Sequence, residues 1–373
     1  MMRFATVLCA LLAVNPAAAQ SPDHPRNEVS GDRGWRAEWD RTIAAAKQEG
    51  EVNIAHSVVP TVRRIVEPLW AREFPDIKLK STVGNEGWAT RVREERRIDK
   101  YLHDVFLGGP SAGLFQIAQD ALDPLVPALI LPDVRDPDTW GGWDNVFADR
   151  NRNRVFGYTV LASSFWYDAN LVPRDKVEAL GFKVLLDPAY KGKISWWDPR
   201  LSGAGSVYAD LIARIESWDV LKKIIVDQDS KFYPDAQSLT EAFVRGKLVF
   251  SIGANLETRL DAQYKDLASQ FNVRQIGNTP NVSYIAYGSS VLALANRAAH
   301  PNAARLFVNW FLTKDVQLEV LKGLQHNSPR RDMPRITKDD AVPLPGLAYM
   351  RLQREQETLE REALVERIKE LRP

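Results

Sequence analysis

The sequence predicts an α/β protein with two lobes, and three observations support this prediction. The chain has 373 residues, which is more than one compact hydrophobic core usually organises. Its composition is that of a globular protein, because 45% of the residues are hydrophobic and 26% are charged. Segments with strand periodicity alternate with segments of helical periodicity, which is the order expected for parallel sheets with helices on their faces.

The first residues have the pattern of a secretory signal. Arg3 supplies positive charge, the apolar run 4–14 is too short to cross a bilayer, and three small residues ending at Ala19 follow it. The pattern predicts a Sec signal peptide over 1–19, cleaved near Ala19, and therefore a periplasmic protein. A buried N-terminal helix is the alternative. The polar residues 20–34 predict a flexible leader.

Charge and cysteine content argue against several classes of function. The 49 basic and 48 acidic residues leave a formal net charge of +1, so nothing favours nucleic acid or an anionic membrane as a partner. Cys9 is the only cysteine and lies inside the predicted signal peptide. The mature chain should therefore have no disulfide, no thiol chemistry and no cysteine metal site.

Strands and helices alternate in the first half of the chain. Trp39, Ile43 and Ala46 share one helical face, and Gly50 is a natural end for that helix. Pro68 interrupts a later helical pattern and predicts a kink. The predicted elements are, in order, a helix from Trp35 to Gly50, strand 51–56, helix 62–74, strand 77–83, helix 88–98, strand 104–107 and helix 111–121.

The second half continues this alternation after an irregular, proline-rich crossing over 123–144. The predicted elements are two strands within 155–167, strand 193–197, a helix that includes 207–215, helix 237–245, strand 248–252, strands 273–276 and 284–294, helix 301–324 and helix 353–371. The charge run on the last helix predicts a solvated face, with partner binding as the alternative. Together the elements predict lobe 1 over 35–155 plus 285–335, lobe 2 over 156–284 and a C-terminal helical segment over 336–373.

Loops after the strands are the expected ligand site, because parallel sheets bind ligands beyond the carboxyl ends of their strands. The candidate binding residues in these loops are His56, Ser57, Glu86, Gly109 and Ser111. For His56 the alternative is a structural histidine, and for Glu86 it is a solvated glutamate. Gly109 and Ser111 could also belong to a plain turn.

A serine- and glycine-rich turn between a predicted strand and a predicted helix is the strongest candidate site. Its residues are Ser202, Gly203, Ala204, Gly205 and Ser206. Glycines let the backbone approach a ligand closely. The unpaired N–H groups at the start of a helix, together with the helix dipole, favour a carboxylate, phosphate or phosphonate. A plain capping turn is the alternative.

Five segments carry a family resemblance. They are 39–54 (WDRTIAAAKQEGEVNI), 187–194 (DPAYKGKI), 198–206, 242–247 (AFVRGK) and 301–311. In this order they resemble the bacterial extracellular solute-binding proteins of the ferric-iron, thiamine and phosphonate group, over about residues 35–334. The resemblance implies a periplasmic binding protein fold, in which two α/β lobes are joined by crossing strands and a ligand cleft lies at the hinge.

The resemblance also implies residue roles. Ser202, Gly203 and Ala204 correspond to ligand-anchoring positions, and Asn255 corresponds to a cleft-facing position. Iron-binding members carry two adjacent tyrosines after the strand that matches 248–252, whereas the five residues that follow it here, GANLE, contain no tyrosine. Ferric iron prefers anionic oxygen ligands, which asparagine and leucine do not supply. A small anionic or zwitterionic solute is therefore expected.

Aromatic and basic residues elsewhere are further candidates. Tyr284 and Tyr287 could line the cleft where the chain returns to the first lobe, or simply pack in a half-buried strand. Trp196 and Trp197 adjoin the serine-glycine turn, and at most one of them should reach the cleft because neighbours in a strand point to opposite faces. The arginines that could pair with an anionic ligand, or lie on the surface instead, are Arg200, Arg259, Arg330 and Arg331.

The sequence shows no catalytic signature. It contains no GxSxG, HExxH or Walker motif, and no GxGxxG in the right context. We therefore expect a monomeric, non-enzymatic substrate-binding component of an ABC importer, without cofactor or metal, that passes a small solute to an inner-membrane permease. A ferric-iron carrier, a secreted enzyme and a sensory ligand-binding protein on the same fold are the alternatives.

Overall fold

The computed structural model describes residues 34–57, 61–84, 88–246, 248–287, 290–337 and 341–371. The predicted signal peptide, nearly all of the predicted leader and the candidate Glu86 lie outside the described residues. Helices and sheet strands both run through the described part of the chain, which confirms the α/β class. Over the same residues, no helix combines the length and the apolar character needed to cross a membrane.

The helices are distributed along the whole described chain. In order they are α1 (Gly34–Glu49), α2 (Glu67–Glu73), α3 (Trp88–Arg97), α4 (Ala112–Ala121), α5 (Pro132–Arg135), α6 (Trp143–Val146), α7 (Arg174–Leu180), α8 (Ala204–Ile215), α9 (Trp218–Ile225), α10 (Ala236–Val244), α11 (Leu256–Gln263), α12 (Lys265–Ala268), α13 (Pro301–Phe311), α14 (Lys314–Leu324) and α15 (Glu355–Leu371). The irregularity predicted at Pro68 is a π-helical turn (Val62–Val66) directly before α2. Pro68 itself lies in the first turn of α2, where a missing N–H is tolerated.

The strands form two main sheets and one small sheet. In order they are β1 (Glu51–His56), β2 (Lys78–Val83), β3 (Val105–Gly108), β4 (Leu122–Asp123), β5 (Phe156–Gly157), β6 (Leu161–Ser163), β7 (Trp166–Asp168), β8 (Ile194–Trp197), β9 (Lys231–Tyr233), β10 (Phe250–Ile252), β11 (Val273–Gln275), β12 (Tyr284–Ala286) and β13 (Val291–Ala295).

The first main sheet has the order β2-β1-β3-β13-β4, and β5 also pairs with β13. β1 is parallel to β2 and β3, whereas β13 is antiparallel to β3. Val105 and Leu107 pack into one hydrophobic core and Phe106 packs into another, as the alternation of side chains along a strand requires. The sheet is therefore covered on both faces, and its parallel strands β1 and β3 end at the same edge.

The second main sheet has the order β11-β7-β10-β8-β9. β8 is parallel to β9 and β10, whereas β7 is antiparallel to β10 and β11. Trp196 is fully buried in one core beside this sheet, and Trp197 packs at the margin of a second core. The carboxyl end of β8 leads directly into the serine-glycine turn before α8.

The small sheet, β6 paired antiparallel with β12, carries the chain between the two main sheets. The chain leaves the first sheet at β5, passes through β6 to β7, and returns through β12 to β13. Beside β12, the N–H of Ile285 donates to the carbonyl of Met350 at 2.9 Å. The structure thus has two sheet-centred halves with crossing strands, while the lobe boundaries predicted above stay predictions.

The C-terminal helix α15 contacts both halves. It packs against α4 and against α8. Glu355, Thr358, Arg361 and Ile368 are buried on one side of it. The solvated face predicted from the charge run therefore describes only part of the helix surface, because some of its charged residues are buried against the rest of the protein.

Candidate ligand-binding cleft

A cavity of about 860 Å³ is lined by residues from both halves of the protein. Gly109 follows β3 of the first sheet, Trp197 ends β8 of the second sheet, and Tyr284 lies on the crossing strand β12. Arg361 reaches the same cavity from α15. Because its walls come from separate sheets, a ligand in this cavity would touch both halves at once.

The serine-glycine turn is held against the end of β8. A Cβ atom added to Gly205 would lie 1.8 Å from the carbonyl oxygen of Trp197, so only glycine fits there. The indole Nε1 of Trp196 donates to the Gly205 carbonyl at 3.1 Å. Gly253, with φ +96°, packs against Trp197 from the neighbouring strand end. These contacts fix the backbone of the turn where it faces the cavity.

The start of α8 carries N–H groups without a side-chain cap. Gly203 is the N-cap residue, with φ 132° and ψ −161°, and no side chain of the described residues caps the helix there. The Ser206 hydroxyl donates to the Gly203 carbonyl at 3.0 Å and so does not occupy these N–H groups. Ser202, Gly203 and Ala204 line the cavity. Unpaired N–H groups and the positive end of the helix dipole make this a favourable place for an oxyanion.

Two tyrosines form part of the cavity wall. The Tyr208 hydroxyl lies 2.7 Å from both the Ser163 hydroxyl and the Ser164 carbonyl, to which it donates. The rings of Tyr208 and Tyr284 meet edge to face, 5.6 Å apart. Burial raises the pKa of Tyr284 to about 12 and the pKa of Tyr208 well above its ordinary value. Both side chains are therefore phenols at neutral pH, which can donate hydrogen bonds.

The wall also carries a buried arginine. Arg361 is only 7% exposed, and its Nε lies 3.5 Å from Asp210 Oδ2. Asp210 makes a closer ion pair, 2.7 Å, with Arg214. Burial lowers the pKa of Arg361, with the nearby Asp210 opposing that effect, but a guanidinium still stays charged. The cavity wall thus includes a fixed positive charge.

Acidic groups and a histidine are also part of the polar lining. Glu257 and Asp261 are four residues apart on α11, so they share one helix face, and both line the cavity. His326 follows α14, and its Nδ1 is shielded from solvent without a hydrogen-bond partner in the described structure. Burial lowers the pKa of His326 to about 4, so the ring is neutral at neutral pH. The cavity therefore offers separate cationic, anionic and neutral polar groups.

A comparison with known protein families shows to which family the chain belongs. A family model for bacterial extracellular solute-binding proteins matches residues 55–318, which is more than half of the chain. The chain belongs to this family. The family resemblance expected from the five sequence segments is confirmed. No match was found among the curated proteins.

Solved structures of other solute-binding proteins share the fold. Iron-bound HitA from Pseudomonas aeruginosa has a TM-score of 0.62 and 16% identity, covering 84% of this chain and 99% of that one. The substrate-binding protein of an ABC transporter from Agrobacterium tumefaciens has a TM-score of 0.62 and 17% identity, covering 86% and 94%. AfuA from Actinobacillus pleuropneumoniae, with fructose-6-phosphate bound, has a TM-score of 0.59 and 15% identity, covering 86% and 99%. The predicted two-lobed periplasmic binding protein fold is therefore confirmed.

Part of the predicted site lies in the cavity of this solute-binding protein. The predicted residues that line it are Ser202, Gly203, Ala204, Asn255, Gly109 and Tyr284. Trp197 lines it as well, whereas its neighbour Trp196 is buried behind it, as the alternation along a strand requires.

The other predicted residues lie outside the cavity lining. Gly205 and Ser206 are behind the turn, where they fix its backbone. Ser111 caps α4 by accepting a hydrogen bond from the N–H of Leu114 at 3.3 Å. Tyr287 is buried among the side chains of the first half, and its N–H donates to Gln353. The geometry gives these residues structural contacts, and a role in binding stays a prediction.

His56 and Ser57 lie at the edge of the first sheet, also outside the cavity lining. His56 is fully buried, and neither of its ring nitrogens has a hydrogen-bond partner within the described residues. Burial lowers the pKa of its imidazole, so the ring is neutral. The N–H of Ser57 donates to the Leu107 carbonyl at 3.0 Å. Both residues lie outside the cavity lining, and a role in binding stays a prediction.

Sequence reasoning missed several cavity residues. The missed polar residues include Tyr208, Arg361, Thr358, His326, Glu257 and Asp261. Tyr208 lies four residues after Ala204 in the same helix, and this spacing could have predicted its position on the cavity face. Arg361 offered no such signal, because nothing in the charge run of its helix shows which charge is buried. The arginines predicted as anion partners do not line the cavity, and Arg330 is instead buried between Asp133 and Asp332.

Proposed function

We propose that this protein captures a small anionic or zwitterionic solute in the cavity and delivers it to the permease of an ABC importer. The observation that carries the proposal is the turn formed by Ser202, Gly203 and Ala204, whose helix start faces a cavity lined from both halves. Two of the similar structures fit this function, since one is named as the substrate-binding protein of an ABC transporter and the other holds a sugar phosphate.

Closure of the two halves around the solute is the proposed mechanism. The crossing strands β6 and β12 lie between the main sheets, so they are the natural hinge. A solute that contacts both walls stabilises the closed form by its greater affinity for that form. Closure also removes water, which strengthens the hydrogen bonds and charge interactions inside.

The lining favours a solute with more than one kind of charge. The start of α8 and Arg361 favour an oxyanion, whereas Glu257 and Asp261 on α11 favour an amine or hydroxyl groups. A zwitterion, or an anion that also carries hydroxyl groups, satisfies both sets of groups. We further propose that the protein acts as a periplasmic monomer without catalytic activity, after cleavage of its signal peptide near Ala19.

A ferric-iron carrier is the second candidate, because HitA was solved with iron bound. Ferric iron requires anionic oxygen ligands. The five residues after β10 contain no tyrosine, and the hydroxyl of the cavity residue Tyr208 is already hydrogen-bonded to Ser163 and Ser164. These features favour an organic anion over iron.

A thermal-shift screen of the mature protein tests the function. We expect a carboxylated, phosphorylated or zwitterionic metabolite to raise the melting temperature, because a ligand that binds only the folded state stabilises it. Neutral sugars should leave it unchanged, and ferric citrate should raise it no more than citrate alone does. A large shift with ferric citrate that is lost in Tyr284→Phe would contradict the proposal and support the iron carrier.

A further inference from the structure

The segment that ends in α15 connects the two halves of the protein. At its start, Glu355 accepts a hydrogen bond from the N–H of Arg150 at 2.6 Å, and its own N–H donates to the Ala148 carbonyl at 2.9 Å. Near its end, Ile368 is fully buried in the core of the second half, where Leu352 packs as well. The helix is therefore fixed at both ends, and its middle is held beside the cavity.

Two side chains from the middle of α15 line the cavity. Thr358 and Arg361 are three residues apart and so share one face of the helix. Both are more than nine-tenths buried. Thr358 Oγ1 and Arg361 Nε have no hydrogen-bond partner among the described residues. Buried polar atoms in folded proteins nearly always have a partner, so these two atoms can accept one from outside the described residues, either a bound water or a ligand group.

The charge of Arg361 is only partly compensated. Its Nη2 donates to the Leu352 carbonyl, which is neutral. The nearest carboxylate, Asp210, is shared: its Oδ2 lies 3.5 Å from Arg361 Nε, and its Oδ1 lies 2.7 Å from Arg214, which also pairs with Glu360 at 3.2 Å. A buried guanidinium whose nearest carboxylate is shared and 3.5 Å away can gain a closer ion pair from an anion, because burying a charge is expensive unless it is well paired.

We propose that Arg361 is the charged anchor for an oxyanion group of the solute, a carboxylate or a phosphate, and that Thr358 donates a second hydrogen bond. The inference rests on the proposed function of the cavity and names the residue that selects for anions. The anchor lies beyond the matched family region, which ends at residue 318.

Calorimetric titration of four probes into matched variants tests the anchor. The probes are glucose 6-phosphate, succinate, glucose and thiamine. Arg361→Met removes the charge, Arg361→Lys keeps it without the planar fork, and Arg367→Met is the control, since Arg367 is on the same helix but stacks on Trp218 outside the cavity lining. We expect glucose 6-phosphate or succinate to bind the wild type, Arg361→Met to weaken that binding about 30-fold and Arg361→Lys to weaken it less. Arg367→Met should change it less than twofold.

The outcomes separate the anchor from the function. If Arg361→Met loses binding of glucose 6-phosphate only, Arg361 binds a phosphate. If it loses binding of succinate only, Arg361 binds a carboxylate. Equal affinity of wild type and Arg361→Met for the bound anion would overturn the anchor. Binding of glucose or thiamine alone, unchanged in Arg361→Met, would overturn the anchor and leave a solute-binding function standing. If none of the probes bound the wild type, both proposals would fall.

Should Arg361→Met fail to fold by circular dichroism, Arg361→Lys and Thr358→Val serve as the deciding variants, and unchanged affinity in both would overturn the anchor.

Discussion

Single residues decide how the serine-glycine turn presents its backbone. Gly205 is in contact with the Trp197 carbonyl, and any side chain at this position would push α8 away from β8. Gly203 has space around it but a φ of 132°, which side chains other than hydrogen rarely allow. The two glycines therefore have different functions, since the first provides close packing and the second provides the backbone conformation that exposes the helix start.

His326 predicts a pH dependence of stability. Its pKa in the folded protein is about 4, below the ordinary value of about 6.5 that it would have when unfolded. Between these values the unfolded chain binds the proton and the folded protein does not, so stability falls as the pH drops from about 6.5 to about 4. Over this pH range we expect the free energy of unfolding of the His326→Gln variant to fall by roughly 2 kcal/mol less than that of the wild type. The reason is that the ring is half-buried and its Nδ1 is shielded from solvent.

Urea unfolding of wild type and His326→Gln at pH 7, 6, 5 and 4.5 measures this effect. His56 and His103 also have lowered pKa values from burial, but they are present in both proteins and cancel in the difference. If the free energies of unfolding of the two proteins change equally with pH across this range, His326 is not a buried neutral histidine.

At the scale of elements, apolar residues attach helix α15 to the second half, although many of its residues are charged. Ile368 is fully buried in the core of the second half, and Leu364 and Leu371 pack at its margin. Many of the other positions of the helix are charged. Three apolar residues within the last two turns thus attach this end of the helix to an existing core.

Ile368→Ala tests the attachment of α15. Removing a fully buried isoleucine side chain costs about 2–4 kcal/mol of the free energy of unfolding, since it leaves a cavity. Ile98→Ala is the matched control, because Ile98 is 62% exposed and its loss should change stability by less than about 0.5 kcal/mol. Chemical denaturation measures both variants. Equal effects of the two substitutions would show that α15 does not pack as described.

Local sequence patterns predicted the helices and strands well where neighbouring residues alone determine the structure. Strand β1 has the predicted bounds of 51–56, because its apolar residues pack into the cores on both sides of the sheet, and Gly50 and Ser57 flank it. The predicted helix 301–324 is instead two helices, α13 and α14, because the Thr313 hydroxyl donates to the Trp310 carbonyl where the chain turns. The turn of the site was predictable because glycines and serines act through local backbone geometry. Arg361 was not, because its burial depends on how α15 packs against distant parts of the chain.

For the whole molecule, the two halves should approach each other on binding. We expect saturating amounts of the solute identified by the thermal-shift screen to reduce the radius of gyration measured by small-angle X-ray scattering, since contacts to both walls favour the closed form. The control is Ser202→Ala combined with Gly203→Val, which should bind the solute weakly and keep the larger radius at the same concentration while remaining folded. A radius that stays constant on saturation of the wild type would exclude closure as the mechanism.

The order of strands in the first sheet has a consequence for how the protein forms. β13 lies between β3 and β4, although it is made of residues 291–295 and its neighbours are made more than 160 residues earlier. The first sheet therefore cannot be completed until β13 has been made. All strands of the second sheet, in contrast, lie within 166–275, so they can pair before the end of the chain has been made. Because contacts so distant in sequence form slowly, completion of the first sheet is the step at which an incomplete chain would expose apolar surface longest.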